Sequence, residues 1–200
     1  MHIKRFESAA NNIPKVVLVQ YAAIEGGGTK FVCAVGNSPQ EVHESIVLPT
    51  ADPQSTLAGC VEFFAAAERK FGRIDALGFA CFGPIDLRAG SPKFGHMMGT
   101  PKAGWSGVDL LAPLRSRFNV PMAIDTDVAA AALAEWRLGA GRGSGSVAYV
   151  TVGTGIGADV APRDTRIGRL MHAEMGHIAV RRDPRDEFAG VCPFHGDCLE

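Results

Sequence analysis

Asp125 and Asp127 stand two apart where an apolar run, Pro121–Ile124, gives way to an alanine-rich stretch. Sugar hydroxyls are poor nucleophiles at neutral pH. A carboxylate within hydrogen-bond reach can take the proton as the oxygen attacks phosphorus. The end of a strand in an α/β sheet is also where such sheets bind ligands. Asp is equally a favoured helix N-cap, so Asp127 could cap the helix that follows, with Asp125 as a strand-end hydrogen-bonder.

Two glycine-rich turns flank this pair. Gly26, Gly27, Gly28, Thr29 and Lys30 offer backbone N–H groups with little side-chain obstruction, a hydroxyl and a positive charge. Gly153, Thr154, Gly155, Ile156 and Gly157 repeat the pattern. Such turns can wrap phosphate oxygens closely. The first lacks the Walker A spacing and joins two strands, so helix-dipole assistance is not expected there. Each could alone be a plain hairpin turn. Two of them around a candidate base point to phosphoryl transfer.

The C-terminal part carries a third group. His177 precedes Cys192 by 15 residues, and Cys192, His195 and Cys198 follow at intervals of three. Two Cys and two His at short spacing match a closed, structural Zn²⁺ site, which would brace a polar loop with little apolar content. His172 is an alternative to His177. Glu174 and His177, three apart around Gly176, can face one ligand, and a carboxylate can accept from two vicinal hydroxyls. Glu174 as a merely solvated carboxylate remains the other reading.

Several elements must position these groups. Val16–Ala23, Phe31–Gly36 and Glu41–Leu48 read as strands, with an antiparallel turn between the first two. Pro53–Phe71 has a helical period through Leu57, Val61 and Phe64, closed by Gly72. Ala76–Phe82 is a short apolar strand, 88–107 a Gly- and Pro-rich loop, and Val108–Phe118 a helix. Pro121–Ile124 is a strand, Val128–Leu138 a helix and Ser146–Val152 a strand. Three strands followed by alternating β and α predict an α/β domain with a mixed sheet. Residues 1–21 form an irregular leader, 22–122 a first lobe and 123–200 the start of a second.

With 20 basic and 21 acidic residues, the 200-residue chain has no charge excess to drive binding to nucleic acid or an anionic membrane. No apolar run reaches the roughly 18–20 residues of a membrane span. A cytoplasmic protein is expected. Cys33, Cys60 and Cys81 sit in apolar surroundings and read as buried thiols, and an odd total of five cysteines is a poor disulfide framework.

Taken together, Ile24–Gly36, Phe82–Asp86, Thr100-Pro101-Lys102 with Gly104-Trp105, Asp125–Val128, Thr151–Gly157, Ala173–Ile178 and the tail Cys192–Glu200 resemble the ROK family of sugar kinases, and within it the bacterial fructokinases. The resemblance covers about residues 22–200. It implies an actin-like ATPase (ribonuclease H-like) fold with the active site between two lobes. It implies that Gly27, Gly28, Thr29 and Lys30, with Gly153, Thr154 and Gly155, handle the phosphates of ATP with Mg²⁺. Asp127 matches the catalytic base. Thr126, Glu174 and His177 match sugar-binding positions, and His177 doubles as a zinc ligand with Cys192, His195 and Cys198. The implied reaction is ATP-dependent phosphorylation of a hexose, D-fructose at its 6-hydroxyl, in a homodimer. Mannose, glucose or an N-acetylhexosamine are competing substrates, and a sugar-binding or interaction module without turnover is the competing class. Two positions depart from the family pattern: Ala129, where an Asn is usual, and Asp159, where a Gly is usual. The family also runs on beyond the match to Glu200, which implies an incomplete second lobe.

Overall fold

A computed structural model of the chain describes residues 19–153, 155–162, 171–190 and 192–199. The expected leader up to residue 18, the first residues of the expected strand at 16–23, and Thr154 lie outside them.

The first half builds a five-stranded mixed sheet in the order β3-β2-β1-β4-β5. Its strands are β1 (Tyr21–Gly26), β2 (Lys30–Ser38), β3 (Glu41–Pro49), β4 (Ala76–Cys81) and β5 (Met122–Thr126). The first three form an antiparallel meander, and β4 and β5 add parallel to β1. Strand β5 belongs to this sheet, so the expected start of a second lobe at residue 123 falls inside it.

Helix α1 (Pro53–Phe71) connects β3 to β4. Asp52 caps it by accepting from Ser55 N at 2.9 Å, and Pro53 sits where a missing N–H costs nothing. Its buried side chains Leu57, Cys60, Phe64 and Ala67 recur at helical spacing, while the anticipated Val61 is only half-buried. They pack on Phe31, Cys33 and Val35 of β2 and Leu77 and Phe79 of β4 in one core. Cys33, Cys60 and Cys81 are buried, and all five cysteines are free thiols.

The stretch between β4 and β5 is irregular, yet much of it is core. Met97, Trp105, Leu110, Leu111 and Leu114 are fully buried. Asp86, also fully buried, is satisfied by the Arg88 guanidinium and the Ser91 hydroxyl. The expected helix at 108–118 is shorter: α2 spans Ala112–Arg117 only. Asp109 ends the preceding bend by accepting from the N–H groups of Leu111 and Ala112, both at 3.0 Å. An Asp so used favours a turn over a helix interior.

Helix α3 (Asp127–Leu138) follows β5 directly, and a two-stranded antiparallel hairpin, β6 (Val147–Val152) and β7 (Ile156–Ala161), packs against it. A single 3₁₀ turn, Met175–His177, then leads into the Cys/His segment. No helix among the described residues is long and apolar enough to cross a membrane.

Candidate functional site

The parallel register sets the site. Gly26 of β1 lies opposite Cys81 of β4, and Cys81 lies opposite Thr126 of β5. The residues that follow, Gly27, Phe82 and Asp127, therefore leave the sheet together at one edge. Phe82 N donates to Gly26 O at 2.7 Å and ties two of these exits to each other.

The cap of α3 is Thr126, whose hydroxyl accepts from Ala129 N at 3.3 Å. Asp127 occupies the first helical position instead, with Oδ1 accepting from Val128 N at 2.8 Å. The two aspartates part company because Asp125 still belongs to β5 whereas Asp127 opens α3; in a continued strand, residues two apart would share a face. Asp127 lines a cleft of about 320 Å³, whereas Asp125 lines an apolar groove on the sheet, beside Ala123 and Ala129. Burial first, then the nearby Glu25 and Glu174 carboxylates, push the Asp127 carboxyl up from its ordinary value.

That cleft is closed by the hairpin and the 3₁₀ turn. Gly157 of β7 sits so close to α3 that an added Cβ would lie 2.9 Å from Val128 Cγ1. Gly176 comes closer still: its Cβ would fall 1.8 Å from Ile156 O, so only glycine permits this approach. The contact seats Glu174 and Gly176 in the cleft with Asp127, Thr126, Gly153 and Gly155. A second cleft of about 910 Å³ adjoins it and shares Gly28, Gly83, Gly155 and Glu174. Its other walls include Thr100, Lys102, His177 and Phe194.

Of the first turn, only Gly28 lines these clefts; Gly27, Thr29 and Lys30 do not. Lys30 is an exposed residue at the start of β2. The second turn is tighter than anticipated, since Ile156 and Gly157 already belong to β7 and Gly153 N donates to Gly155 O at 2.9 Å. The two departures from the family pattern fall outside both clefts. Ala129 faces the apolar groove, and Asp159 is buried within β7, where Oδ1 accepts from Val160 N at 2.7 Å. A carboxylate so placed does not meet an anion entering the cleft.

The Cys/His group is assembled. One ligand atom from each of His177, Cys192, His195 and Cys198 lies within 4.8 Å of every other. Cys192 Sγ is 3.4 Å from His177 Nδ1 and 3.6 Å from His195 Nδ1, and Cys198 Sγ is 3.9 Å from His177 Nδ1. Tetrahedral bonds of about 2.0–2.3 Å place neighbouring ligand atoms roughly 3.3–3.8 Å apart, so these separations suit a zinc-sized ion. Desolvation pushes the Cys192 thiol up, but the N–H groups of Phe194 and His195 and the His195 ring outweigh it and bring it to about 6. Thiolate is the ligating form. His172 is not in this group. It is buried, with Nε2 2.9 Å from Ile85 O, and Nδ1 lies 3.0 Å from Glu174 Oε1 at ion-pair distance without hydrogen-bond alignment.

Three contributors escaped the sequence reading: Glu25 as a charge acting on Asp127, His172 as a brace beside Glu174, and Lys102, whose ammonium donates to Gly28 O at 2.8 Å. Glu25 and Lys102 lie within stretches already singled out and His172 adjoins one, but nothing in their spacing marked these contacts.

The chain is 43% identical over 182 residues to a fructokinase of Zymomonas mobilis and 39% identical over 178 residues to one of Pediococcus pentosaceus. These matches cover 90% and 89% of this chain and 60% of each relative, so the chain spans about three fifths of their length. Among solved structures, a ROK hexokinase from Thermus thermophilus superposes with a TM-score of 0.70 at 29% identity, over 91% of this chain and 59% of that one. A ROK glucokinase from Streptomyces griseus, solved with glucose and AMPPNP, superposes at 0.63 with 28% identity over 81% of this chain and 51% of its own. The strand order, with its antiparallel meander and two added parallel strands, is accordingly that of the actin-like ATPase fold. The family model for ROK proteins matches residues 21–200. With glycine turns, strand-end aspartate and Cys/His segment all inside that match, the chain belongs to the ROK family.

Proposed function

We propose that this chain carries the central catalytic portion of an ATP-dependent hexose kinase, with D-fructose as substrate and fructose 6-phosphate as product. The observation that carries the reading is the convergence of Asp127, Glu174, Gly28 of the first glycine turn and Gly153 and Gly155 of the second on one cleft region. The fructokinases among its relatives support the choice of sugar.

The chemistry follows from the placement. Asp127 accepts the proton of the sugar 6-hydroxyl as that oxygen bonds to the γ-phosphorus. The bond to the β,γ-bridging oxygen breaks, and ADP leaves with the electron pair. A carboxyl raised from its ordinary value is a stronger base than an exposed one. The turn at Gly27–Lys30, through Gly28, and the turn at Gly153–Gly155 would receive phosphate oxygens on their N–H groups, and Mg²⁺ bound with the nucleotide would supply charge neutralisation. Thr126, Glu174 and His177 hold the sugar. His177, Cys192, His195 and Cys198 would hold a structural Zn²⁺, which would brace the segment that carries His177 on the sugar wall. A homodimer is the assembly in which this site works.

A coupled assay that follows ADP release tests the reading with fructose, glucose, mannose and N-acetylmannosamine in parallel. Turnover is expected to be fastest with fructose. Asp127→Asn is expected to cut turnover roughly 10²–10⁴-fold. An effect below tenfold would remove Asp127 from the role of base.

A further inference from the structure

The first glycine turn is held by its carbonyls. Gly27 O accepts from the Thr50 hydroxyl at 2.7 Å, Gly28 O from the Lys102 ammonium at 2.8 Å, and Thr29 O from Thr50 N at 3.0 Å. Three successive carbonyls thus have partners outside the turn. In a trans peptide the N–H of one residue points opposite to the carbonyl of the residue before it. Fixing Gly27 O and Gly28 O therefore turns the N–H groups of Gly28 and Thr29 away from Thr50 and Lys102, as a pair of oriented donors.

Both partners rest on rigid supports. Thr50 is buried between β3 and the cap of α1, and its hydroxyl-bearing neighbour Thr56 anchors Ala51 N at 3.1 Å. Lys102 sits in a loop pinned by Trp105. That indole is fully buried, lies with its centroid 5.4 Å from both Phe31 (tilted) and Phe82 (edge-on), and donates Nε1–H to Ala51 O at 3.0 Å. Lys102 N also lies 3.4 Å from the Thr100 hydroxyl, which narrows the reach of the side chain. The lysine belongs to the wall that faces Glu174 and His177 across the larger cleft. Its bond to Gly28 joins that wall to the turn.

We infer that Lys102 and Thr50 are positioning residues of the phosphate turn, which set the direction of its N–H donors before nucleotide arrives. This rests on the reading of the turn as a phosphate cradle. A turn free to flip its peptides would have to order them on binding, and that ordering would be subtracted from the affinity.

The test is a calorimetric titration with magnesium and a non-hydrolysable ATP analogue, and separately with D-fructose, on the protein and three variants. Lys102→Met keeps the stem and removes the donor. Thr50→Val keeps the shape and removes the hydroxyl. Lys102→Arg restores a donor. Lys102→Met and Thr50→Val are each expected to weaken nucleotide binding roughly tenfold, the size of one lost hydrogen bond to a fixed partner. Fructose affinity and the thermal unfolding midpoint are expected to hold, and Lys102→Arg to recover part of the loss. Weakening in Lys102→Met but not Thr50→Val would overturn the inference and make the lysine a simple counter-charge. Loss of fructose affinity alone would overturn it in favour of a sugar contact. Unchanged nucleotide binding in both variants would overturn it while leaving the cleft's function standing. No nucleotide uptake by the unaltered protein would overturn both.

Discussion

The two sides of the cleft are held together by different physics. The five-stranded sheet side rests on a continuous core, with Phe31, Phe64, Ile74, Trp105 and Leu114 fully buried. The Cys/His side has few such residues: Val152, Phe188 and Phe194 are 77%, 60% and 61% exposed. It is placed by point contacts instead. His172 meets Ile85, Gly176 meets Ile156, a short bridge pairs Ala179 with Cys198, and four ligand atoms converge. One side of the site is therefore rigid through burial. The other is rigid only as far as a handful of specific bonds allow, and an ion bound by its four ligand atoms would add most there.

The sharpest break of this contrast is in the core. Phe64→Ala, which empties the space between α1, Phe63 and Phe118, is expected to cost about 3–5 kcal/mol of global stability by chemical denaturation. A cost below 1 kcal/mol would mean the sheet side is not held by its core. Next in size is Gly176→Ala. The added carbon cannot fit against Ile156 O, so Glu174 and His177 must shift. Steady-state kinetics should show roughly a 10–100-fold loss in kcat/KM for the sugar, with global stability little changed. A neutral outcome would show that the 3₁₀ turn adapts freely. Chelation of metal, or Cys192→Ser, should raise amide exchange in 171–199 and leave the amides of β1, β4 and β5 protected. Uniform loosening would erase the distinction between the two sides.

The smallest effect is electrostatic. The Asp127 carboxyl is raised by burial, Glu25 and Glu174, and the base works only when ionised. Turnover should fall as pH drops through that raised value, at higher pH than an ordinary carboxylate would dictate. Glu25→Gln removes one of the charges that raise it, so the acid limb of the pH–rate profile should move to lower pH. A limb that stays put would take Glu25 out of the site. The same sign governs stability. An ionised group disfavoured by folding costs stability above its folded value, and the cost fades as pH falls through it. Asp127→Asn should therefore raise the unfolding midpoint slightly at pH 7 while it abolishes most turnover.

Much of the fold was legible along the chain. The strands around the first glycine turn, α1 with its helical period and closing Gly72, and α3 with its alanines all carry local signals that tertiary structure did not override. Helix α2 was overread because Val108, Leu110, Leu111 and Leu114 have helical spacing, yet the first three are buried or half-buried in an irregular segment tied by Asp109. Apolar spacing reports burial, and burial does not require a helix. The Cys/His set was legible because metal ligands must be close in space and short spacing makes closeness cheap. His172 was the alternative that spacing left open: it is near in sequence, but its ring lies against Ile85 O and outside the ligand group.

The order of residues alone determined which groups were available: two flexible turns, an acid at a strand end, a Glu–His pair and four soft or borderline ligands. Those depend on residue type and on distances of a few positions, which local geometry converts directly into reach. Only the tertiary structure decided which of them share a cleft. The pairing of β1, β4 and β5 in register brought Gly27, Phe82 and Asp127 to one edge, and the switch from β5 to α3 after Thr126 parted Asp127 from Asp125, which lines the apolar groove. The bond from Lys102 to Gly28 spans 74 residues. A contact of that separation is made by the packing of Trp105 beneath the turn, and no short-range pattern encodes it.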